Sequence, residues 1–254
     1  MVQKIARQEI ILVTGGSRGI GAATAILAAQ RGYAVCINYV HNREAAETVA
    51  DAVRKAGGCA LTVAADVAVE EDVVRLFKTI DEKLGRLTAL VNNAGVLEKK
   101  MMTEQMDAAR INRVLMTNVT GSLLCAREAI LRMSNKHGGN GGGIVNLSSM
   151  AAKLGGPGEY VDYAASKGAI DAMTIGLAKE LADQDIRVNA VRPGLIYTEI
   201  HASGGEAGRV DRLSDTVPMK RGGTAQEVAE AIMWLLSDQA SYSTGAFIDV
   251  AGGR

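Results

Sequence analysis

The chain predicts a doubly wound α/β domain, one parallel sheet of seven strands with helices on both faces. Three observations predict it. Short, almost wholly apolar runs alternate with longer helical patterns along the chain. A glycine-rich turn, TGGSRGIG, follows the first apolar run directly and opens a helical stretch. No linker and no repeat period interrupts the 254 residues, so a single domain over 1–254 is expected.

The elements follow in order. Ile10–Thr14 is the first strand, because an unbroken apolar run of this length suits a strand buried on both faces. Gly19–Arg31 is the first helix. Ala34–Asn38 and Arg43–Ala56 repeat the strand-helix pair, as do Ala60–Ala64 and Glu70–Leu84. Ala89–Asn92 is the fourth strand, and Arg110–Met133 reads as one long helix after it. The connector HGGNGGG, His137–Gly143, leads to the strand Gly143–Leu147. Tyr163–Asp183, Arg187–Val191, Ala225–Ser237 and Phe247–Val250 complete the alternation.

Composition narrows the function classes. Apolar residues make up 48% of the chain and formal net charge is zero. That excludes a disordered chain and gives no global pull toward nucleic acid or membrane. Cys36, Cys59 and Cys125 are scattered without a C-x-x-C, and His41, His137 and His201 are equally dispersed, so no metal site is expected. The N-terminal stretch MVQKIARQEIILVTGG is too short for a signal peptide, and no window of about 20 apolar residues is expected to span a membrane. A soluble, cytoplasmic protein is expected.

The glycine turn is a candidate phosphate site. Gly15, Ser17, Arg18, Gly19, Ile20 and Gly21 lie between a strand and a helix. Glycines there let the backbone approach a pyrophosphate, and the helix N-terminus supplies free N–H groups. It is not an ATP-type loop, since Ala22 stands where that motif needs lysine. The second strand ends in Asn38 and Tyr39, followed by Val40, His41, Asn42 and Arg43, with nothing acidic to take a ribose 2′-hydroxyl. Together with Arg18 this favours NADP(H) over NAD(H).

A second feature is the stretch GEYVDYAASKGAID. Tyr163 and Lys167 are four apart, one helical turn, whereas Tyr160 has Ala164 at that spacing. A neighbouring ammonium lowers a tyrosine pKa and makes it usable in acid–base chemistry. Spacing alone is equally compatible with a packed tyrosine beside a solvated lysine.

With these residues in place the chain resembles a classical short-chain dehydrogenase/reductase over nearly its whole length. The motifs are T-G-x-x-x-G-x-G at Thr14–Gly21, NNAG at Asn92–Gly95, Y-x-x-x-K at Tyr163–Lys167, and Pro193–Gly194 followed by Thr198. The resemblance implies a Rossmann fold and reversible hydride transfer between NADPH and a ketone or secondary alcohol. It implies that Asp66 and Val67 sit at the adenine and that Asn92, Ala94 and Gly95 line the cofactor cleft. Pro193, Gly194, Ile196 and Thr198 would hold the nicotinamide. Ser149 and Tyr163 would bind the substrate oxygen, with Ser148 the competitor of Ser149. Lys167 would lower the Tyr163 pKa and bind the nicotinamide ribose, and Asn118 would hold a proton-relay water.

Within the family the pattern is closest to 3-oxoacyl-carrier-protein reductases and glucose dehydrogenases. The ending AGG, Ala251–Gly253, departs from the usual DGG. Residues 197–222 are expected to form a mobile substrate lid. A carrier-protein substrate would want a basic docking patch, which Lys99, Lys100, Arg110 and Arg113 would supply, although a solvated helix face explains them as well. The resemblance also implies a homotetramer acting on a small-molecule carbonyl or alcohol. The rival readings are an NAD(P)H-sensing regulatory protein without turnover and another enzyme on a similar fold, such as a methyltransferase.

Overall fold

Residues 8–254 are described by a computed structural model. The first seven residues of the N-terminal stretch MVQKIARQEIILVTGG lie outside the described residues. The strands are β1 (Ile10–Val13), β2 (Ala34–Tyr39), β3 (Ala60–Ala64), β4 (Ala89–Asn92), β5 (Gly142–Leu147), β6 (Ile186–Pro193) and β7 (Phe247–Val250). The helices are α1 (Gly19–Gln30), α2 (Arg43–Lys55), α3 (Glu70–Lys83), α4 (Ala108–Leu115), α5 (Gly121–Met133), α6 (Ala151–Leu154), α7 (Val161–Leu181), α8 (Ile200–Ser203), α9 (Arg209–Leu213) and α10 (Ala225–Leu236).

All seven strands pair in parallel in the order β3-β2-β1-β4-β5-β6-β7. The continuous apolar runs have a simple cause. Successive strand residues face opposite sides of a sheet, and both sides are covered. In β1, Ile11 and Val13 enter one core with residues of α1, α2 and α10, while Ile10 and Leu12 enter the other with residues of α3, α5 and α7. Helices with one covered side show one apolar stripe. Val73, Leu76, Phe77 and Ile80 of α3 are buried at helical spacing, as are Ala46, Val49, Ala50 and Val53 of α2.

The strand order reverses between β1 and β4, both of which leave the sheet at the same edge. A crevice at that point is where an open α/β sheet binds ligands. The loops after β1 and β4 carry TGGSRGIG and NNAG, so the topology brings these two motifs together.

Two expectations need correction. The long helix after β4 is not one α-helix. Met116–Thr120 is a π-helical turn between α4 and α5. Gly121 follows it because a Cβ there would lie 2.8 Å from Val67 Cγ2. Such turns insert one residue and re-aim a side chain, here Asn118. The same stretch, Ala108–Met133, is also long and apolar enough by length and composition to cross a membrane, contrary to expectation. Its inner residues Val114, Cys125, Ala126, Ala129 and Met133 are buried in this fold.

Candidate active site

The site grows from the end of β1. Gly15 and Gly19 have φ of 59° and 52°, the left-handed region that glycine enters without penalty. A Cβ on Gly15 would lie 3.0 Å from Ala94 Cα, and one on Gly21 would lie 2.5 Å from the Gly15 carbonyl oxygen. The turn is therefore a bare-backbone cradle closed against the NNAG loop. Thr14 and Asn93 lock it. Thr14 Oγ1 accepts from the N–H groups of Asn93 and Ala94, each at 3.0 Å. Asn93 Nδ2 donates to the carbonyls of Thr14 at 2.8 Å and Gly15 at 3.0 Å.

Two adjoining cavities open here. One, of about 490 Å³, is lined by Gly15, Ser17, Arg18, Gly19, Ile20, Asn38, Tyr39, His41, Asp66, Val67, Ala94 and Gly95, among others. The second, of about 390 Å³, is lined by Ser149, Tyr163, Lys167, Pro193, Gly194, Ile196 and Thr198 together with an apolar wall. Ile20, Asn93, Gly95, Thr198 and Ile200 border both. The glycine cradle and the elongated double cavity fit a dinucleotide, with Arg18, exposed at the N-terminus of α1, at the phosphate turn.

Several expected residues act behind the surface. Asn92 does not line the cleft, a correction to the sequence expectation. It is buried in register with Asn146 and donates to Asn146 Oδ1 at 3.0 Å and the Ser122 carbonyl at 3.1 Å. Asn93, which the motif reading passed over, takes its place. Strand alternation is the signal that separates them, since adjacent residues leave a strand in opposite directions. Gly21 sits behind the turn and permits its packing. Asn38 borders the first cavity, but its side chain is spent on the protein, accepting from Gly15 N at 3.2 Å and donating to the Ala65 carbonyl at 2.9 Å. Asn42 caps α2 through Ala45 N at 2.9 Å.

Asn118 is buried in the π-helical turn. Its Oδ1 accepts from Val96 N at 2.8 Å, and its Nδ2 donates to the Val96 carbonyl at 3.1 Å and to Ser166 Oγ at 3.0 Å. That side chain braces the NNAG loop against α7. A Cβ on Gly95 would lie 3.3 Å from Asn118 Oδ1 and 3.7 Å from Lys167 Nζ, so all three share one corner.

Ser148 and Ser149 part company at the end of β5. Ser148 is buried and its hydroxyl reaches the Lys167 carbonyl at 3.3 Å. Ser149 lines the second cavity together with Tyr163, and its hydroxyl accepts from Ala151 N at 3.1 Å. Tyr160 lies under the Arg209 guanidinium, 5.2 Å from ring centroid to the Arg209 carbon.

The electrostatics of the pair differ from the sequence expectation. Burial pushes Tyr163 up to about 12, with Ser149 opposing the shift. Lys167 Nζ lies 5.6 Å from the Tyr163 ring centroid and donates to the Leu147 carbonyl at 2.6 Å. Burial pushes Lys167 down to about 8, with Asp171 opposing. Desolvation disfavours both charged forms and outweighs their mutual attraction. Tyr163 is therefore a phenol at neutral pH, and the lysine does not bring it below its free value in this structure.

The lysine shift has a stability consequence. Below pH 8 Lys167 is charged folded and unfolded, and its burial cost is complete. Between about 8 and the ordinary 10.5 the folded group sheds its proton and the cost is released. Lys167→Met is expected to be more stable than the parent by about 1–3 kcal/mol at pH 7, net of the lost bond to Leu147. Urea melts at pH 7 and 9.5 check this. An advantage that fails to shrink at the higher pH would refute the assignment.

The expected basic patch is reduced. Arg110 is buried and pairs with Asp162 at 2.7 Å, and Arg113 pairs with Glu98 at 3.0 Å. Lys99, Lys100 and Arg113 remain exposed, and of these Lys99 and Lys100 have no carboxylate partner among the described residues. The segment 197–222 carries α8 and α9, and its Val210 and Val217 form a small cluster with Leu195. Arg209 ties it to Glu159, just before Tyr160, at 2.5 Å.

Comparison with known proteins bears on the family. The family model described as enoyl-(acyl carrier protein) reductase matches residues 15–254. The uncharacterized oxidoreductase YgfF of Escherichia coli (strain K12) is 62% identical over 245 residues, 96% of this chain and 99% of that protein. Glucose 1-dehydrogenase 2 of Bacillus subtilis (strain 168) is 38% identical, covering 95% of this chain and 93% of its own. A short-chain type dehydrogenase/reductase from Mycobacterium marinum has a crystal structure similar to this one. Its TM-score is 0.90 at 32% identity, over 96% of this chain and 94% of that one. With a family match across nearly all its length and a site assembled from the family's motifs, the chain belongs to the short-chain dehydrogenase/reductase family of oxidoreductases.

Proposed function

We propose that the chain interconverts a ketone and a secondary alcohol with NADP(H), in the cytoplasm and as a homotetramer. One observation carries the reading. Ser149, Tyr163 and Lys167 line one cavity that joins the glycine cradle through Asn93 and Gly95. The nicotinamide, when bound, supplies or accepts the hydride. Ser149 and Tyr163 hold the substrate oxygen, and their donors meet the negative charge that develops there. Tyr163, kept protonated by burial, passes its proton to that oxygen in reduction. Lys167, still mostly charged at pH 7, favours the phenolate left behind. Asn118 holds the Gly95–Lys167 corner in place.

The end of β2 and the residues after it support NADP(H), since Tyr39, Val40, His41 and Asn42 present no carboxylate and Arg18 borders the same cavity. Glucose 1-dehydrogenase among the relatives supports a carbonyl–alcohol couple. Exposed apolar residues on outer helix faces, Met116, Leu123, Leu131 and Ile175, support burial against further copies. Three unpaired cysteines support a reducing compartment.

The test is nicotinamide absorbance with purified protein, NADPH against NADH. The compounds are β-ketoesters, diketones, a 2-enoyl thioester and steroids, with sugars and alcohols in reverse. Turnover with NADPH at least about tenfold above NADH is expected, a difference typical of one charge-assisted contact. Equal use of both would overturn the cofactor assignment. NADPH binding without turnover of any compound would favour a sensor. Light scattering on the same sample is expected to give four times 26.6 kDa.

A further inference from the structure

The far end of the second cavity bears on which carbonyl compound enters, a question that rests on the proposed function. His201 borders this cavity from α8. Its Nε2 lies 3.0 Å from the Ile196 carbonyl oxygen. A carbonyl oxygen only accepts, so Nε2 carries the ring proton. Nδ1 of the neutral ring is then a lone-pair acceptor. It is buried and has no hydrogen-bond partner. Burial also holds His201 below the ordinary histidine range, which keeps the ring neutral at pH 7.

The groups around it are already spent. Arg209 gives both terminal nitrogens to Glu159, at 3.0 and 2.5 Å, and reaches Glu206 at 3.4 Å. Glu206 also accepts from Arg212 at 2.5 Å. Charges on the lid and on the loop before Tyr160 thus cancel locally. Arg254 is exposed at the rim and has no carboxylate partner among the described residues. Leu97, Met150, Leu154, Leu195 and Ile200 make this wall mainly apolar, with the Tyr160 phenol and Thr198 also bordering the cavity. An apolar wall with one unpaired acceptor selects for a donor, because a buried acceptor left empty is costly and an analogue lacking the donor leaves it so.

We propose that the cavity takes a neutral carbonyl compound that carries a free hydroxyl, and that His201 Nδ1 accepts the hydrogen bond from that hydroxyl. The hydroxyl is recognised and not consumed. Reduction converts the C=O to CH–OH next door, so the product is a diol, and in reverse a diol or sugar is the substrate. Nδ1 is buried in this structure, so a substrate hydroxyl reaches it only if its surroundings move. The single turn of α8 is the element that shifts to admit the hydroxyl.

The test compares 3-hydroxybutan-2-one with butan-2-one, which differ by that hydroxyl alone. The parent protein with NADPH is expected to prefer the hydroxyketone by about 10- to 100-fold in kcat/KM. His201→Phe is expected to collapse the ratio to about threefold or less. His201→Gln, which restores an amide acceptor, is expected to recover part of it. A second readout needs no turnover. In protein labelled with ¹⁵N-histidine, the His201 Nδ1 resonance, assigned by its loss in His201→Gln, is expected to move with 3-hydroxybutan-2-one and not with butan-2-one.

A ratio near one in the parent, an unchanged ratio in His201→Phe, or a still resonance would overturn the proposal. So would preference for the anion 3-oxobutanoate, which would point to Arg254 instead. Indiscriminate turnover of ketones would sink this inference and leave the proposed function standing. Absence of all turnover would sink the proposed function, and the resonance would still decide whether hydroxyl recognition survives.

Discussion

Tyr163→Phe is expected to lower kcat by about 10²- to 10⁴-fold, the range of a positioned proton donor, while NADPH affinity changes by less than about threefold. The phenyl ring keeps the place of Tyr163 in α7 and removes only the hydroxyl, which shares the cavity with Ser149. Burial holds that hydroxyl protonated up to about 12, so reduction finds its proton in place at neutral pH. Oxidation needs the phenolate, so its rate is expected to rise with pH, whereas reduction is expected to fall once Lys167 loses its charge above about 8. Steady-state kinetics in both directions, with fluorescence titration of NADPH, check this. Tyr160→Phe is the control. Its ring packs beneath Arg209, and a loss below about fivefold is expected. A dead Tyr160 variant beside an active Tyr163 variant would reverse the assignment.

Asp162→Ala is expected to destabilise the fold by about 3–5 kcal/mol, the usual cost of leaving one buried charge without its partner. The side chains of Arg110 and Asp162 are 5% and 2% exposed, and Nε to Oδ2 is 2.7 Å. The pair joins three segments. Arg110 Nη1 donates to the Lys99 carbonyl at 2.6 Å, and Asp162 Oδ1 accepts from Tyr163 N at 2.9 Å. Breaking it therefore loosens the loop after NNAG and the start of α7 together. Arg110→Met with Asp162→Leu is expected to recover most of the stability, since no charge is then stranded. Urea unfolding of the single and double variants decides it. A single variant within about 1 kcal/mol of the parent would mean that the pair is hydrated in solution.

Much of the fold and the site is legible in the chain. The β1 run Ile10–Val13 faces two covered layers, and only an unbroken apolar run can satisfy both. The glycine turn is legible because φ near 59° and a backbone 3.0 Å away leave no room for another residue. The choice of Ser149 over Ser148 rests on motif spacing; in the structure both border the second cavity, and Ser148 is the more deeply buried of the two. Less is legible at Asn92 and Asn93. Both fit the motif, and only the register of β4 with β5 shows which one turns into the sheet.

The sequence by itself determined the alternation of elements, the parallel sheet and the motifs that meet at its reversal point, because these depend on local periodicity and on glycine geometry. Tertiary structure decided what depends on packing between distant segments. The π-helical turn that re-aims Asn118, the withdrawal of Arg110 from the basic patch, and the unpaired Nδ1 of His201 are of this kind. The charge state of Tyr163 and Lys167 belongs with them. A four-residue spacing predicts attraction between the two, but the depth of burial sets the desolvation cost, and no local pattern in the chain encodes that depth.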